Sequence, residues 1–358
     1  MKHKIFRNSS RGTGALVHGF LILLVLFIFP AAKAGGMDLI GAGATFPYAL
    51  YSKMFYVYWQ QTGDKINYQA IGSGGGQRQL LSRTVDFGGS DAFMKDADLS
   101  RAAGEIIHVP TCLGAVAVTY NLPGSPRLRF TPGLLADIFL GKIVRWNDAL
   151  IRKMNPDLDL PDMDIVVVHR SEGSGTTFMF TDYLSKVSPE WEKRVGRGKA
   201  ANWPVGLGSK GNPGVAGMIK YFPGAVGYVE LGYALMNGMP VGLLLNRSGR
   251  FIEPGPAAAT AAANVPLPED TRITLTDSKA PEGYPISGFT WILAFREQAY
   301  KGRSEEKARA LRTALWWMVH EGQAYASPLH YAPLPQDARG KAENIIRSMT
   351  YHGKTIGP

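Results

Sequence analysis

"DIVVVHRSEGSGTTFMFTDYLSKV", residues 164–187, contains a complete structural unit. "DIVVVHR" is a short apolar run of the kind that forms a buried strand. "SEGSG" interrupts it with glycine and serine, and "TTFMFTDYLSKV" continues at helical spacing. The same order recurs upstream. "MDLIGAG" reads as a strand entering a turn, and "YALYSKMFYVYWQQTG" (48–63) as the helix after it. "KINYQAI" (65–71) reads as a strand, followed by "GSGGG" and a helical "QRQLLSRTV". "GAVAVTYN" (114–121) is another buried-strand run. Strands alternating with helices predict an α/β protein built on open sheets.

Tyr48, Tyr51, Phe55 and Tyr58 fall at helical spacing, with Gly63 as the stop; an aromatic stripe of this kind predicts core packing rather than a binding face. Residues 246–285 are rich in Pro, Ala and Gly and predict a loop with one small Ala-rich helix. "YPISGFTWILAF" (284–295) reads as a strand. "SEEKARALRTALWWMVHEG" (304–322) predicts an amphipathic helix with Leu311, Leu315 and Met318 on one face and Gly322 as its stop. The tail beyond about residue 335 is polar and is expected on the surface. The sequence has no internal repeat.

The first 34 residues stand apart. Lys2, Lys4, Arg7 and Arg11 precede "ALVHGFLILLVLFIFP" and a small-x-small site, Ala32-Lys33-Ala34, which is the layout of a cleaved secretory signal peptide. The chain carries 39 Lys+Arg and 29 Asp+Glu; removing the five basic residues of this leader leaves 34 against 29, a net of +5. No basic run dominates, so nucleic-acid binding is not expected. The one cysteine, Cys112, can form no internal disulfide and lies far from the cleavage site. A soluble, monomeric protein of the bacterial periplasm is expected, long enough for two cored domains.

Three strand–turn–helix junctions share a chemistry: "GAGATFP" (41–47), "IGSGGG" (71–76) and "HRSEGSGTT" (169–177). Each sets glycine beside a hydroxyl residue where a helix begins. A helix start offers unpaired backbone N–H groups and the positive end of a dipole. Glycine lets an anion approach them, and Ser or Thr adds a hydroxyl donor. Converging, the three would coat a tetrahedral oxyanion in hydrogen bonds. One such turn alone is ordinarily just a helix cap. Arg170 supplies a guanidinium fork suited to an oxyanion. Asp91 in "DFGGSDAFM" helps only a ligand that carries a proton to donate, as hydrogen phosphate does and sulfate at neutral pH does not. On spacing alone, Asp91 is equally a helix cap and Arg170 equally a surface ion pair.

At these same residues the chain resembles the periplasmic phosphate-binding proteins of bacterial ABC-type high-affinity phosphate uptake systems. "GAGATFP", "YQAIGSGGG", "TVDFGGSDA", "LGKIVRWND", "HRSEGSGTTFMFTDYL", "WPVGLGSKGN" and "PGAVGYVE" match that family's blocks in order, over about residues 37–335. The resemblance implies a two-lobed type II binding-protein fold: two open mixed sheets flanked by helices, with a ligand cleft between them. Lobe I would be 35–112 with 282–358, and lobe II 113–281. It implies phosphate contacts from Thr45, Phe46 (through its N–H), Ser73, Asp91 as proton acceptor, Arg170, Ser174, Gly175 and Thr176. It implies no enzymatic activity, no metal or other cofactor, and an inner-membrane ABC phosphate permease as partner. Glu172 departs from the family, which often has aspartate there to pair with the arginine. A sulfate or molybdate receptor, disfavoured by Asp91, is one rival reading. A hydrolase using Ser73 or Ser174 is another, but neither serine has an obvious His or Lys base.

Overall fold

The computed structural model describes residues 36–357, so the expected signal peptide lies outside the described residues. From Asp38 the chain runs β1 (Asp38–Gly43), α1 (Tyr48–Thr62), β2 (Lys65–Ala70), α2 (Ser73–Leu81), β3 (Phe87–Ser90) and α3 (Asp96–Leu99). It continues through β4 (Ile106–Tyr120), β5 (Arg129–Phe130), α4 (Pro132–Phe139), α5 (Ala149–Met154), β6 (Val166–Arg170), α6 (Gly175–Val187) and α7 (Pro189–Arg194). Then come β7 (Leu207–Ser209), α8 (Gly211–Tyr221), β8 (Ala225–Glu230), α9 (Leu231–Met236), β9 (Leu243–Leu245), β10 (Phe251–Ile252) and α10 (Pro256–Ala262). β11 (Ser287–Phe295), α11 (Glu305–Val319), α12 (Gln336–Arg347), β12 (Thr350–Tyr351) and β13 (Lys354–Thr355) complete it.

Eight strands form one mixed sheet in the order β2-β1-β3-β11-β4-β8-β6-β7. The two expected sheets are its two halves, joined because β4 pairs at both ends. Ile106 to Ala115 pair with β11, and Val116 to Tyr120 pair with β8, both antiparallel. All fifteen residues of β4 are buried, which accounts for its continuous apolar sequence. Pro110 has no N–H for a ladder, and the register between β4 and β11 shifts between Thr290 and Trp291, opposite Thr111. That bulge places Thr290 where the candidate site needs it. Small sheets β10-β9-β5 and β12-β13 lie apart from the main one.

The helices cover this sheet as their patterns predict, with four corrections. In α1, Tyr51, Phe55 and Tyr58 are core, but Tyr48, at the first helical position, is exposed. α2 begins at Ser73, so Gly74, Gly75 and Gly76 are helical rather than a preceding loop. A Cβ on Gly76 would lie 2.4 Å from the Ala42 carbonyl oxygen; the glycines let this helix start press against the end of β1. α11 buries Leu311, Leu315 and Met318 as expected but stops at Val319, and Gly322 lies in the 3-10 turn that follows. The C-terminal tail is not a surface tail. α12 turns Ala338, Ala342 and Ile346 inward, Met349 is fully buried, and all join the core of Leu311 and Leu315. Its polar composition reflects one solvated face of an amphipathic helix. Residues 246–285 do hold a small Ala-rich helix, α10. Thr276 secures the segment by donating to the buried Asp182 of α6. No helix among the described residues is long and apolar enough to cross a membrane.

Candidate functional site

The three glycine junctions come together where the two halves of the sheet face each other. At the start of α6 the Ser174 hydroxyl accepts from the Thr177 N–H at 3.0 Å, an N-cap that leaves the Gly175 N–H free to point outward. That N–H donates to the Ser73 hydroxyl at the start of α2, at 3.1 Å. Ser73 also accepts from the Asp91 N–H at 3.2 Å and lies 3.5 Å from the Asp91 carboxylate. Two helix N-termini therefore meet on one hydroxyl with a carboxylate beside it. Gly175 admits no larger residue without a shift, because a Cβ would stand 2.5 Å from the Asp91 Cβ and 2.6 Å from the Ser73 oxygen.

Asp91 is 2 % exposed. Its Oδ1 accepts from the Thr290 hydroxyl at 3.0 Å, the residue aimed by the bulge. Burial pushes its carboxyl up to about 7, against the opposing effects of the Thr290 hydrogen bond, the Arg170 charge and the Ser73 hydrogen bond. Beside the Arg170 guanidinium, Asp91 is thus balanced between holding and losing a proton near neutral pH.

Arg170, at the end of β6, has a fully buried guanidinium. Nη1 donates to the Thr176 hydroxyl at 3.2 Å, and Nε donates to Glu172 Oε1 at 3.1 Å, with Nη2 on the same oxygen. Glu172 Oε1 also accepts from the Gly211 N–H at 3.0 Å, while its buried Oε2 has no partner. Asn212, in the first turn of α8, links the rest. Its backbone and side-chain N–H groups donate to the Thr45 hydroxyl at 3.1 and 3.0 Å, and the side chain also reaches Thr176 at 3.2 Å. A continuous polar chain thus runs Thr45–Asn212–Thr176–Arg170. Behind it, the Tyr331 hydroxyl lies 2.7 Å from the Phe46 carbonyl and 3.1 Å from the Glu230 carboxylate, whose proton affinity burial raises to about 8.

Of the eight residues expected, Ser73, Asp91 and Gly175 form one connected group, and Thr45, Arg170 and Thr176 a second, linked through Asn212. Phe46 is fully buried next to Thr45, and the Ser174 side chain is committed to its cap. Asn212, Thr290 and Glu230 were not among the expected residues. The sequence carries their signals: a fourth glycine-led helix start in "GSKGN", a threonine in the middle of a mostly apolar strand, and an acid closing the apolar "GAVGYVE". Chemically the group offers hydroxyls, helix-start N–H groups and one guanidinium as donors, with the Asp91 carboxylate as the acceptor beside the two helix starts. That set fits a small protonated oxyanion.

A family model described as a PBP superfamily domain matches residues 30–319. The chain is 40 % identical over 328 residues to the phosphate-binding protein PstS of Pasteurella multocida, covering 90 % of this chain and 94 % of that one. It is 43 % identical over 312 residues to PstS of Xylella fastidiosa, covering 85 % and 84 %. Among solved structures, a periplasmic phosphate-binding protein called PfluDING, bound with phosphate, superposes with a TM-score of 0.68 at 22 % identity, over 86 % of this chain and 93 % of that one. A phosphate-binding protein from Stenotrophomonas maltophilia gives 0.65 at 18 %, over 86 % and 94 %. At those identities the structural likeness shows the α/β binding-protein fold.

Proposed function

Since the chain belongs to the family of phosphate-binding proteins, we propose that it captures inorganic phosphate in the periplasm and delivers it to an ABC-type phosphate import permease. The observation that carries this reading is Asp91: a buried acceptor set among donors, facing the ends of two helices. Hydrogen phosphate has an oxygen-borne proton for it, and sulfate has none. Thr45, Ser73, Arg170, Ser174, Gly175 and Thr176, with the Phe46 N–H, supply the donors, and Thr290 holds the carboxylate in place. The halves of the sheet act as lobes, 35–112 with 282–358 against 113–281, and the chain works as a monomer without a cofactor. This reading is preferred to a hydrolase: among the described residues the Ser73 and Ser174 hydroxyls meet Asp91 and the Gly175 and Thr177 N–H groups, with no histidine or lysine placed to act as base.

Titration of the purified protein with phosphate and with sulfate tests the reading. Phosphate is expected to bind and sulfate to be rejected, and Asp91→Asn, which places a donor where the acceptor stood, is expected to relax that rejection. Equal binding of both anions by the parent protein would overturn the function. A chromogenic phosphate ester should be left uncleaved.

A further inference from the structure

Outside the site lies a cavity of about 890 Å3, walled by α2 and residues 92–98 on one side and by 173–178 and 197–200 on the other. Its floor is the seam where Gly74 donates its N–H to the Gly173 carbonyl at 2.9 Å. Beside the seam, Phe93 of one wall meets Phe178 of the other edge-on, with ring centroids 5.8 Å apart. The two glycines meet face to face, and a Cβ on Gly74 would stand 3.2 Å from the Gly173 Cα.

Arg78, Lys95, Arg197 and Lys199 line this cavity. Arg197 is paired with Asp182. Among the described residues, Arg78, Lys95 and Lys199 form no ion pair, and Asp98 is the one acid on the cavity wall. Lys199 donates to Gln77, which in turn holds Ser90 and the Ala92 carbonyl on either side of Asp91. Burial lowers the proton affinity of Lys199; Asp98 opposes this, and Lys95 and Arg78 add to it. Cations from both halves thus face one space with too little negative charge to balance them.

We propose that this cavity is an anion vestibule: a loading station where inorganic phosphate gathers through Arg78, Lys95 and Lys199 before the Gly74–Gly173 seam parts to admit it. The proposal rests on the phosphate reading above. A cleft lined by one sign of charge concentrates its counter-ion and raises the association rate, and salt removes the effect as the screening length shrinks.

Stopped-flow mixing with inorganic phosphate across a series of NaCl concentrations tests it on three proteins. These are the parent, Arg78→Gln/Lys95→Gln, and a control, Lys153→Gln/Lys354→Gln, whose charges are exposed elsewhere and whose net change is the same. At low salt the vestibule variant is expected to associate roughly tenfold more slowly than the parent, the lower end of steering effects, with a flatter salt dependence; the control is expected to track the parent. If both variants slow equally, or neither slows, the vestibule is overturned while the phosphate reading stands. Failure of the parent to bind phosphate at all would overturn both.

Discussion

Asp91 and Arg170 are buried charges of opposite sign whose neighbours differ in kind. Arg170 is held by Glu172 and Thr176, so its fork is oriented before a ligand arrives. Lysine at that position keeps the charge and loses the planar fork. Arg170→Lys is therefore expected to weaken phosphate by about 1–3 kcal/mol, the scale of a charge-assisted hydrogen bond; calorimetric titration checks this, and an unchanged dissociation constant would remove Arg170 from the site. Asp91 makes a prediction in pH. Its proton is held up to about pH 7 in the folded chain, whereas an exposed aspartate loses it at about pH 3.9. Between those values the folded state binds more protons than the unfolded one. The stability that Asp91 contributes is therefore full below about pH 4, falls as pH rises, and is gone above about 7. Melting temperatures of the phosphate-free protein should show this decline, and Asp91→Asn should flatten it, leaving the similar contribution of Glu230, which extends to about pH 8. If the two proteins have parallel pH profiles, Asp91 does not carry the effect.

Helix starts are the elements on which the site is built, and they also show what a sequence can reveal. The junctions at Ser73 and Ser174 were readable because glycine and hydroxyl residues are local signals with a local cause. Pairing Ser73 with Gly175 is a different matter: the two are far apart in the chain and meet only because β4 joins both halves of the sheet, which no local pattern encodes. Thr290 was hidden for the same reason, since its role depends on a bulge set by Pro110 on another strand. Counting polar residues in the tail ignores their phase: Ala338, Ala342 and Ile346 share one face and are buried. Two tests belong at this scale. Gly175→Ala forces a methyl against Asp91 and Ser73, so phosphate binding should fall at least tenfold while the melting temperature moves little, the strain being confined to one helix start. Ile346→Ala opens a cavity in the core and should cost about 2–5 kcal/mol in denaturant unfolding with phosphate affinity at saturating stability unchanged. A loss within the range of a surface substitution would return α12 to the periphery.

Across the whole molecule, the polar groups of the candidate site are divided between the two halves. Thr45, Ser73 and Asp91 come from one half, and Arg170, Gly175, Thr176 and Asn212 from the other. The bonds Gly74–Gly173, Gly175–Ser73 and Asn212–Thr45 cross between them. Neither half alone surrounds an anion. Bringing them together removes water and strengthens each hydrogen bond to a ligand held between them. It also draws the cations of the outer cavity toward one another, which disfavours closure in the absence of an anion. A ligand that binds the closed arrangement better must shift the population toward it. The connections that would bend are few: the middle of β4, where its partner changes between Ala115 and Val116, and the entry to β11 near Ile286. Small-angle scattering is therefore expected to give a smaller radius of gyration with phosphate than without it, together with a higher melting temperature, while sulfate at equal concentration changes neither. Should phosphate raise the melting temperature and leave the radius unchanged, the halves are already joined before the ligand arrives; binding would survive that result, and closure about β4 would not.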